Sequence, residues 1–258
     1  MKRQWIGGIV VWSFAAVGWL ASNGPDEALA QPKPAPAKPT TSPAKAPSVV
    51  EVRLEGGTFQ MGDRYDTVTV APFFLDDIEV TVGAYGACVD AGQCTTPNTG
   101  KYCNWGEADR QNHPINCVDW FQAEAYCKSQ QKRLPTEEEW EWAARGGSRA
   151  NTYPWGEDTP LKQLCWNGPG NDKGEMKRAS TCPVGSYPRG NTPQKIKDLG
   201  GNVWEWTSSK YRPEEEHLVI RGTSWLDDLA SAVRVAFRVK NMPKDRYSNI
   251  GFRCARSP

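Results

Sequence analysis

The sequence predicts an α+β domain with little regular secondary structure, built from short antiparallel strands, a few helices and several disulfides. Three observations lead there. Helical periodicity is confined to three short stretches between Thr81 and Gly147. The cysteines number eight, an even count, with none at CxxC spacing, which argues for disulfides over a zinc or thioredoxin-like site. The stretch from Tyr153 to Gly201 is rich in Gly, Pro, Asn and Asp and has no periodicity. So long an irregular region inside a compact domain needs extra fasteners, disulfides and a bound cation being the candidates.

In chain order, Lys2 and Arg3 precede an apolar run from Ile6 to about Ala21, and Ala28-Leu29-Ala30 follows. This is the pattern of a secretory signal peptide over residues 1–30. The run is shorter than the ~20 apolar residues of a spanning helix, so no membrane span is expected after cleavage. No cysteine precedes Cys88, which rules out a lipid-modified cysteine at that cleavage site. Residues 31–48, QPKPAPAKPTTSPAKAPS, carry no large apolar side chain. They cannot repay the entropy of ordering and read as a semi-extended linker. Residues 49–258 form the globular domain, long enough for one sizeable core.

Within that domain, strands are expected at Gly57–Gly62, Val68–Ala71, Phe73–Asp77, Val219–Arg221, Val233–Val239 and Gly251–Ala255. Thr81 is placed to cap a helix through Tyr85 and Cys88 that stops at Ala91-Gly92. Asp119 opens a second helix, with Trp120, Ala123, Tyr126 and Cys127 at helical spacing. Thr136 with Glu139 makes the capping box of a third, whose acidic first turn suits the helix dipole and whose end is marked by Gly146-Gly147.

Formal net charge is +1 and no basic block occurs, which argues against nucleic acid or an anionic membrane as partner. An exported chain meets an oxidising compartment, so four disulfides are expected, each contributing about 2–4 kcal/mol. Sequence leaves about 105 connectivities open. A local arrangement pairs Cys88 with Cys94, Cys103 with Cys117 and Cys165 with Cys182, leaving Cys127 and Cys254. Nine of the 12 tryptophans fall in the domain, where indoles supply the apolar area that a loop-rich fold lacks.

Seven segments, taken together and in order, resemble the formylglycine-generating enzyme (sulfatase-modifying factor) family. They are GGTFQMG from Gly56, HPINCVDW from His113, KRLPTEEEWEWAARG from Lys132, YPWG from Tyr153, GGNVWEW from Gly200, RGTSW from Arg221 and GFRC from Gly251. The resemblance implies a C-type-lectin-like variant fold and a Cys127–Cys254 bridge. It also implies that a second family disulfide is lost, because its positions read Ala144 and Phe237.

Active members of that family hold copper through two cysteines shortly after the RGGS-type motif. Those positions fall on Asp227 and Ala232. Copper(I) needs soft thiolates, which a carboxylate and a methyl group do not replace, so copper is not expected. The resemblance places Trp204, Ser224 and Asn249 in the substrate cleft beside Asp227. They either line a peptide groove, or pack and hold turns by side-chain to backbone bonds. The adjacent acids Asp227 and Asp228 could bind a hard cation or do acid–base work, or simply be solvated. With only His113 and His217 in the chain, a two-histidine iron site is hard to build.

A structural calcium ion is implied at the segment Asp198–Glu205, held by the side chains of Asp198 and Glu205 and the carbonyls of Gly201 and Val203, all hard oxygens. The family's other calcium site finds no carboxylate in register near Cys165. The Glu-Pro-Asn and Gln-Pro-Asp motifs of sugar-binding lectins are absent from the sequence. The resulting expectation is a periplasmic or secreted monomer, a pseudoenzyme acting as a binding or scaffolding module for a protein or peptide partner in the cell envelope. The alternatives are a diverged oxidoreductase of the family using the same cleft, and an active oxidase whose cysteines align differently.

Overall fold

A computed structural model describes residues 47–258. The expected signal peptide, residues 1–30, and nearly all of the expected linker, residues 31–48, lie outside the described residues. Three small sheets carry the fold. Strands β1 (Glu51–Leu54), β4 (Phe73–Asp76) and β9 (Ala255–Arg256) form one, in the order β1-β4-β9. Strands β2 (Gly57–Met61) and β3 (Asp66–Val70) form an antiparallel hairpin. Strands β5 (Trp204–Lys210), β6 (Leu218–Arg221), β7 (Arg238–Asn241) and β8 (Ile250–Gly251) form the third, in the order β7-β6-β5-β8 with β5 and β8 parallel.

The three helices stand where their caps place them. Helix α1 (Val82–Asp90) starts at Thr81, whose Oγ1 accepts from the Ala84 amide at 3.1 Å. Helix α2 (Trp120–Ser129) is opened by a capping box between Asp119 and Gln122. Helix α3 (Glu137–Ala144) has the Thr136–Glu139 box. Each box satisfies amide groups that no helical carbonyl can reach, typically worth ~1 kcal/mol.

Two apolar cores flank β5. Trp204 and Trp206 enter the first, with Tyr85, Tyr126, Leu134 and Phe252. The second gathers Phe59, Phe73, Leu75, Trp140 and Trp142 between the hairpin and α3. Six of the nine domain tryptophans are buried, and five of these donate their indole N–H to an acceptor within 3.2 Å. The indoles are therefore core residues that also carry orienting hydrogen bonds.

Two expected strands are broken, and a buried guanidinium is responsible in each case. Over Val233–Val239 a 3₁₀ turn at Ala230–Val233 is followed by β7 from Arg238. The carbonyls of Val235, Ala236 and Phe237 are turned onto the Arg221 guanidinium at 2.8, 3.1 and 2.9 Å. Carbonyls so engaged cannot run a strand ladder. Over Gly251–Ala255 the chain crosses from one sheet to another. Gly251 pairs with Glu205 and Ala255 with Leu75, while Arg253 between them is fully buried and needs acceptors on several sides. Strands β1 and β5 were not anticipated; the alternation Trp204-Glu205-Trp206-Thr207 is the signal that marks β5.

The irregular stretch 153–201 is fastened by the Cys165–Cys182 disulfide and by the Arg178 side chain, which is buried. Arg178 donates to Trp166 O at 2.9 Å, Cys182 Sγ at 2.8 Å and Tyr187 Oη at 2.9 Å, and pairs with Asp172. A guanidinium with five donors thus does for this loop what a bound cation does elsewhere, satisfying several oxygens at once.

The remaining disulfides are Cys88–Cys94, Cys103–Cys117 and Cys127–Cys254, and no cysteine is free. The last closes 127 residues. In the chain-entropy model it contributes about 5 kcal/mol, against about 2 kcal/mol for the six-residue Cys88–Cys94 loop. We expect the Cys127→Ala, Cys254→Ala double variant to lose roughly twice the stability of Cys88→Ala, Cys94→Ala, measured by urea unfolding. Equal losses would show that chain entropy does not dominate here.

Candidate functional site

Strand β5 and the loop after β6 converge at one end of the four-stranded sheet. Parallel pairing of β5 with β8 sets Trp204 beside Ile250, and the Trp204 amide donates to Asn249 O at 2.8 Å. The loop leaves β6 through Gly222 at φ 103° and Thr223 at φ 63°, both left-handed. A Cβ on Gly222 would stand 3.1 Å from the Trp140 ring. This turn delivers Ser224 to the interior and Asp227 to a half-buried position beside Trp204.

All four expected cleft residues meet there. Asp227 Oδ2 accepts the Trp204 indole N–H at 2.9 Å and the Ser224 hydroxyl. Asn249 Nδ2 donates to Ser224 Oγ at 3.4 Å, and the Leu226 amide donates to the same oxygen at 3.3 Å. The backbone carbonyl of Asp227 accepts from the Asn167 amide at 2.9 Å. Of the two readings, these bonds are those of the packing one: Trp204 packs and Ser224 holds the turn, both around one carboxylate. Ala232 is buried in the 3₁₀ turn. Asp228 is half-buried and enters no ion pair among the described residues. The donor set at Asp227 is hard oxygen only, and every thiol of the chain is in a disulfide, so no thiolate is present to hold a soft metal.

The histidines are apart from this site. His113 Nδ1 lies 2.8 Å from Thr181 Oγ1, and burial pushes its imidazole down to about 4, with the Arg110 charge adding to the effect. His217 contacts Glu215 at 3.1 Å. A cavity of about 700 Å³ is formed by the β2–β3 hairpin, the start of α3, the end of β5 and the start of β7, and shares no lining residue with the Asp227 cluster.

The segment Asp198–Glu205 contains a second arrangement of acids. Glu205 is fully buried and accepts from Arg253 Nε and Nη2 at 2.8 Å each and from Trp140 Nε1 at 2.8 Å. Asp198, at φ 56°, accepts the Gly185 amide on Oδ2. Gly201 is at φ 90°, and a Cβ there would stand 2.6 Å from Cys165 O, so only glycine lets the segment lie against the disulfide loop. Sequence reasoning missed Glu79. It is fully buried, accepting Asn202 Nδ2 at 2.7 Å and the Val203 amide at 3.3 Å. Its signal was an acid set between the apolar Ile78 and Val80.

These acids influence one another. Burial pushes Glu79 well above the usual carboxylate range, and the charges of Asp198 and Glu205 push it further. Burial likewise lifts Asp198 to about 6. Glu205 is the direct counter-ion of Arg253, which leaves Glu79 and Asp198 as buried carboxylates with no guanidinium of their own. Their oxygens are hard donors, but among the described residues no three His, Cys, Asp or Glu side chains are grouped to hold a metal ion.

Low regular structure, three small sheets and four disulfides around a loop-borne cleft define a C-type-lectin-like domain of the formylglycine-generating-enzyme fold. The structure of PvdO from Pseudomonas aeruginosa is 27% identical, with a TM-score of 0.65, covering 83% of this chain and 100% of that one. The structure of CarF shares the fold at 22% identity and a TM-score of 0.64, covering 82% of this chain and 99% of that one. Residues 36–258 match the sulfatase-modifying factor enzyme 1-like domain, and the chain belongs to that family. Among its relatives is the bovine (Bos taurus) inactive C-alpha-formylglycine-generating enzyme 2, 42% identical over 158 residues that cover 58% of this chain and 52% of the relative. The match thus spans about half that relative's length. The formylglycine-generating enzyme of Streptomyces coelicolor is 32% identical over 305 residues, covering 88% of this chain and 96% of that protein. The relatives of this chain thus include a protein named as the enzyme and one named as inactive.

Two substitutions test the hydrogen-bond geometry. Asp227→Ala leaves the Trp204 N–H and the Ser224 hydroxyl without their acceptor and should cost about 1–3 kcal/mol in urea unfolding; Asp227→Asn, which keeps an acceptor oxygen, should cost less. Arg253→Met strands the buried Glu205 charge and should cost about 3–5 kcal/mol.

Proposed function

We propose that this chain is an exported, non-catalytic member of its family, a binding or scaffolding module whose Trp204–Ser224–Asp227–Asn249 cleft takes a protein or peptide partner in the cell envelope. The observation that carries this reading is the cleft chemistry. Asp227 and Ala232 occupy the two copper-cysteine positions implied by the family resemblance, and all eight cysteines are already paired. The site has a hydrogen-bonded carboxylate where the oxidase chemistry needs two thiolates. The similarity to a protein named inactive supports it. Four disulfides are consistent with an oxidising compartment, as periplasmic or secreted localisation requires. No described helix is long and apolar enough to cross a membrane.

The test is a copper-dependent oxidation assay on the purified domain, with copper(I), oxygen and a cysteine peptide of the sulfatase type, read by mass spectrometry. No aldehyde and no stoichiometric copper are expected. Conversion of the peptide would overturn the reading.

We further propose calcium as a structural ion, held as the family resemblance implies by the side chains of Asp198 and Glu205 and the carbonyls of Gly201 and Val203. Glu205 would take part through the lone pairs that Arg253 and Trp140 leave free. Its contribution is to neutralise buried charge. The folded-state value of Asp198, about 6, lies above its ordinary value. The folded protein therefore binds more protons than the unfolded chain between about pH 4 and 6, and stability falls as pH rises through that window. Calcium should remove the loss. The expected result is a melting-temperature gain on calcium addition to chelator-treated protein that is larger at pH 7.5 than at pH 4.5. A gain independent of pH, or none, would count against the site.

A further inference from the structure

A smaller cavity, about 270 Å³, lies between the segment 100–110 and the Ala179-Ser180 turn. Its volume falls just under the about 300–1,000 Å³ of pockets that hold drug-sized ligands, so it suits one small ring. Its walls are fixed from behind. Cys103 is bridged to Cys117. Arg110 donates from Nη1 to Ser180 Oγ at 3.1 Å and stands 3.3 Å from His113 Nδ1. Asn104, only 3% exposed, also lines the cavity. Its backbone amide donates to Asn116 Oδ1 at 2.7 Å, and its Nδ2 donates to Pro114 O at 2.8 Å and Thr181 Oγ1 at 2.9 Å. A carbonyl can only accept, so Pro114 settles which side-chain atom of Asn104 is the nitrogen. The other atom, Oδ1, accepts no hydrogen bond from the described residues and is not sealed from solvent. A buried amide held by three bonds, with its one side-chain acceptor left open, points to a ligand that donates to it.

The charge of the lining sums to zero: Lys101 and Arg110 are set against Glu107 and Asp109. Asp109 stands 3.6 Å from Arg110. Lys101 and Glu107 enter no ion pair among the described residues. An anion here meets two carboxylates and a cation meets two cationic side chains, so neither gains net attraction. The one aromatic ring of the lining, Tyr102, is 44% exposed and is steadied by Trp225 at 5.5 Å. An uncharged ring bearing hydroxyls matches such a wall. Each hydroxyl both donates and accepts, and the CH groups between them lie against the aromatic surface. We propose that this cavity binds one ring of an uncharged saccharide, whose hydroxyls donate to Asn104 Oδ1 and Glu107 and accept from Lys101 and Arg110. The contacts are direct, with no ion between sugar and protein, so they do not need the lectin motifs that the sequence lacks. This site goes beyond the peptide-binding reading above and shares no residue with the Trp204–Ser224–Asp227–Asn249 cluster.

The experiment titrates the whole protein with neutral trisaccharides of glucose, galactose, mannose and N-acetylglucosamine, in EDTA, followed by saturation-transfer NMR and calorimetry. At least one should bind with a Kd of about 1 mM or tighter. Glu107→Ala removes a charged acceptor and should weaken that binding about tenfold. Ala179→Trp fills the cavity from its exposed side and should abolish it. Both substituted residues are exposed, so the melting temperature should not move in either variant. Binding of none of the four sugars overturns the proposal. So does binding that survives Ala179→Trp, which places the sugar elsewhere, or binding that appears only when calcium replaces EDTA. A glucuronate-containing trisaccharide that binds more tightly than its glucose counterpart overturns the match to an uncharged ligand.

Discussion

The fully buried side chain of Arg253 holds the separate parts of this small fold to one another. Its guanidinium grips both oxygens of Glu205 on β5, the carbonyl of Asp76 at the end of β4 and the carbonyl of Lys197 in the irregular loop. Glu205 passes the link on to the Trp140 indole in α3. One cation thereby ties together two sheets, a helix and a long loop that share few backbone hydrogen bonds. The Cys127–Cys254 disulfide anchors the next residue to α2, so the C-terminal segment is locked covalently on one side and electrostatically on the other. A buried ion is expensive to desolvate and is kept only where each donor finds an acceptor; here that condition dictates how the surrounding elements are placed.

The same device recurs. Arg221 gathers three carbonyls and the acids of α3, and Arg178 gathers the disulfide loop. In a domain with so few ladders, fixed guanidinium forks replace the hydrogen bonds that long strands would supply. This also explains why the Asp227 loop has a single shape. Its base is the end of β6 at Arg221, and its tip is tied to Trp204, Asn167 and Asn249. The loop is thereby tied down at both its base and its tip.

Much of the fold was legible in the residues. The three helices announced themselves through Thr81, Asp119 and the Thr136–Glu139 box, because capping is a local interaction between neighbours in the chain. The hairpin and β6 were legible for the same reason. What failed were the segments Val233–Val239 and Gly251–Ala255, whose apolar alternation is genuine but whose carbonyls and amides are claimed by Arg221 and by two different sheets. Glu79 was missed because an acid between two apolar neighbours, Ile78 and Val80, reads equally well as the solvent face of a strand.

By itself the sequence determined the composition of the site: that Asp227 and Ala232 stand where the resembled family has cysteines, that the cysteines are even in number, and that hard oxygens line Asp198–Glu205. Only the tertiary structure decided the relations between them. It paired the cysteines and turned Asp227 onto Trp204 and Ser224. Capping and ligand chemistry act between near neighbours or within one residue, and can be read along the chain. Burial, charge pairing and surface patches depend on which distant segments are brought together, and that is settled only when the whole core closes.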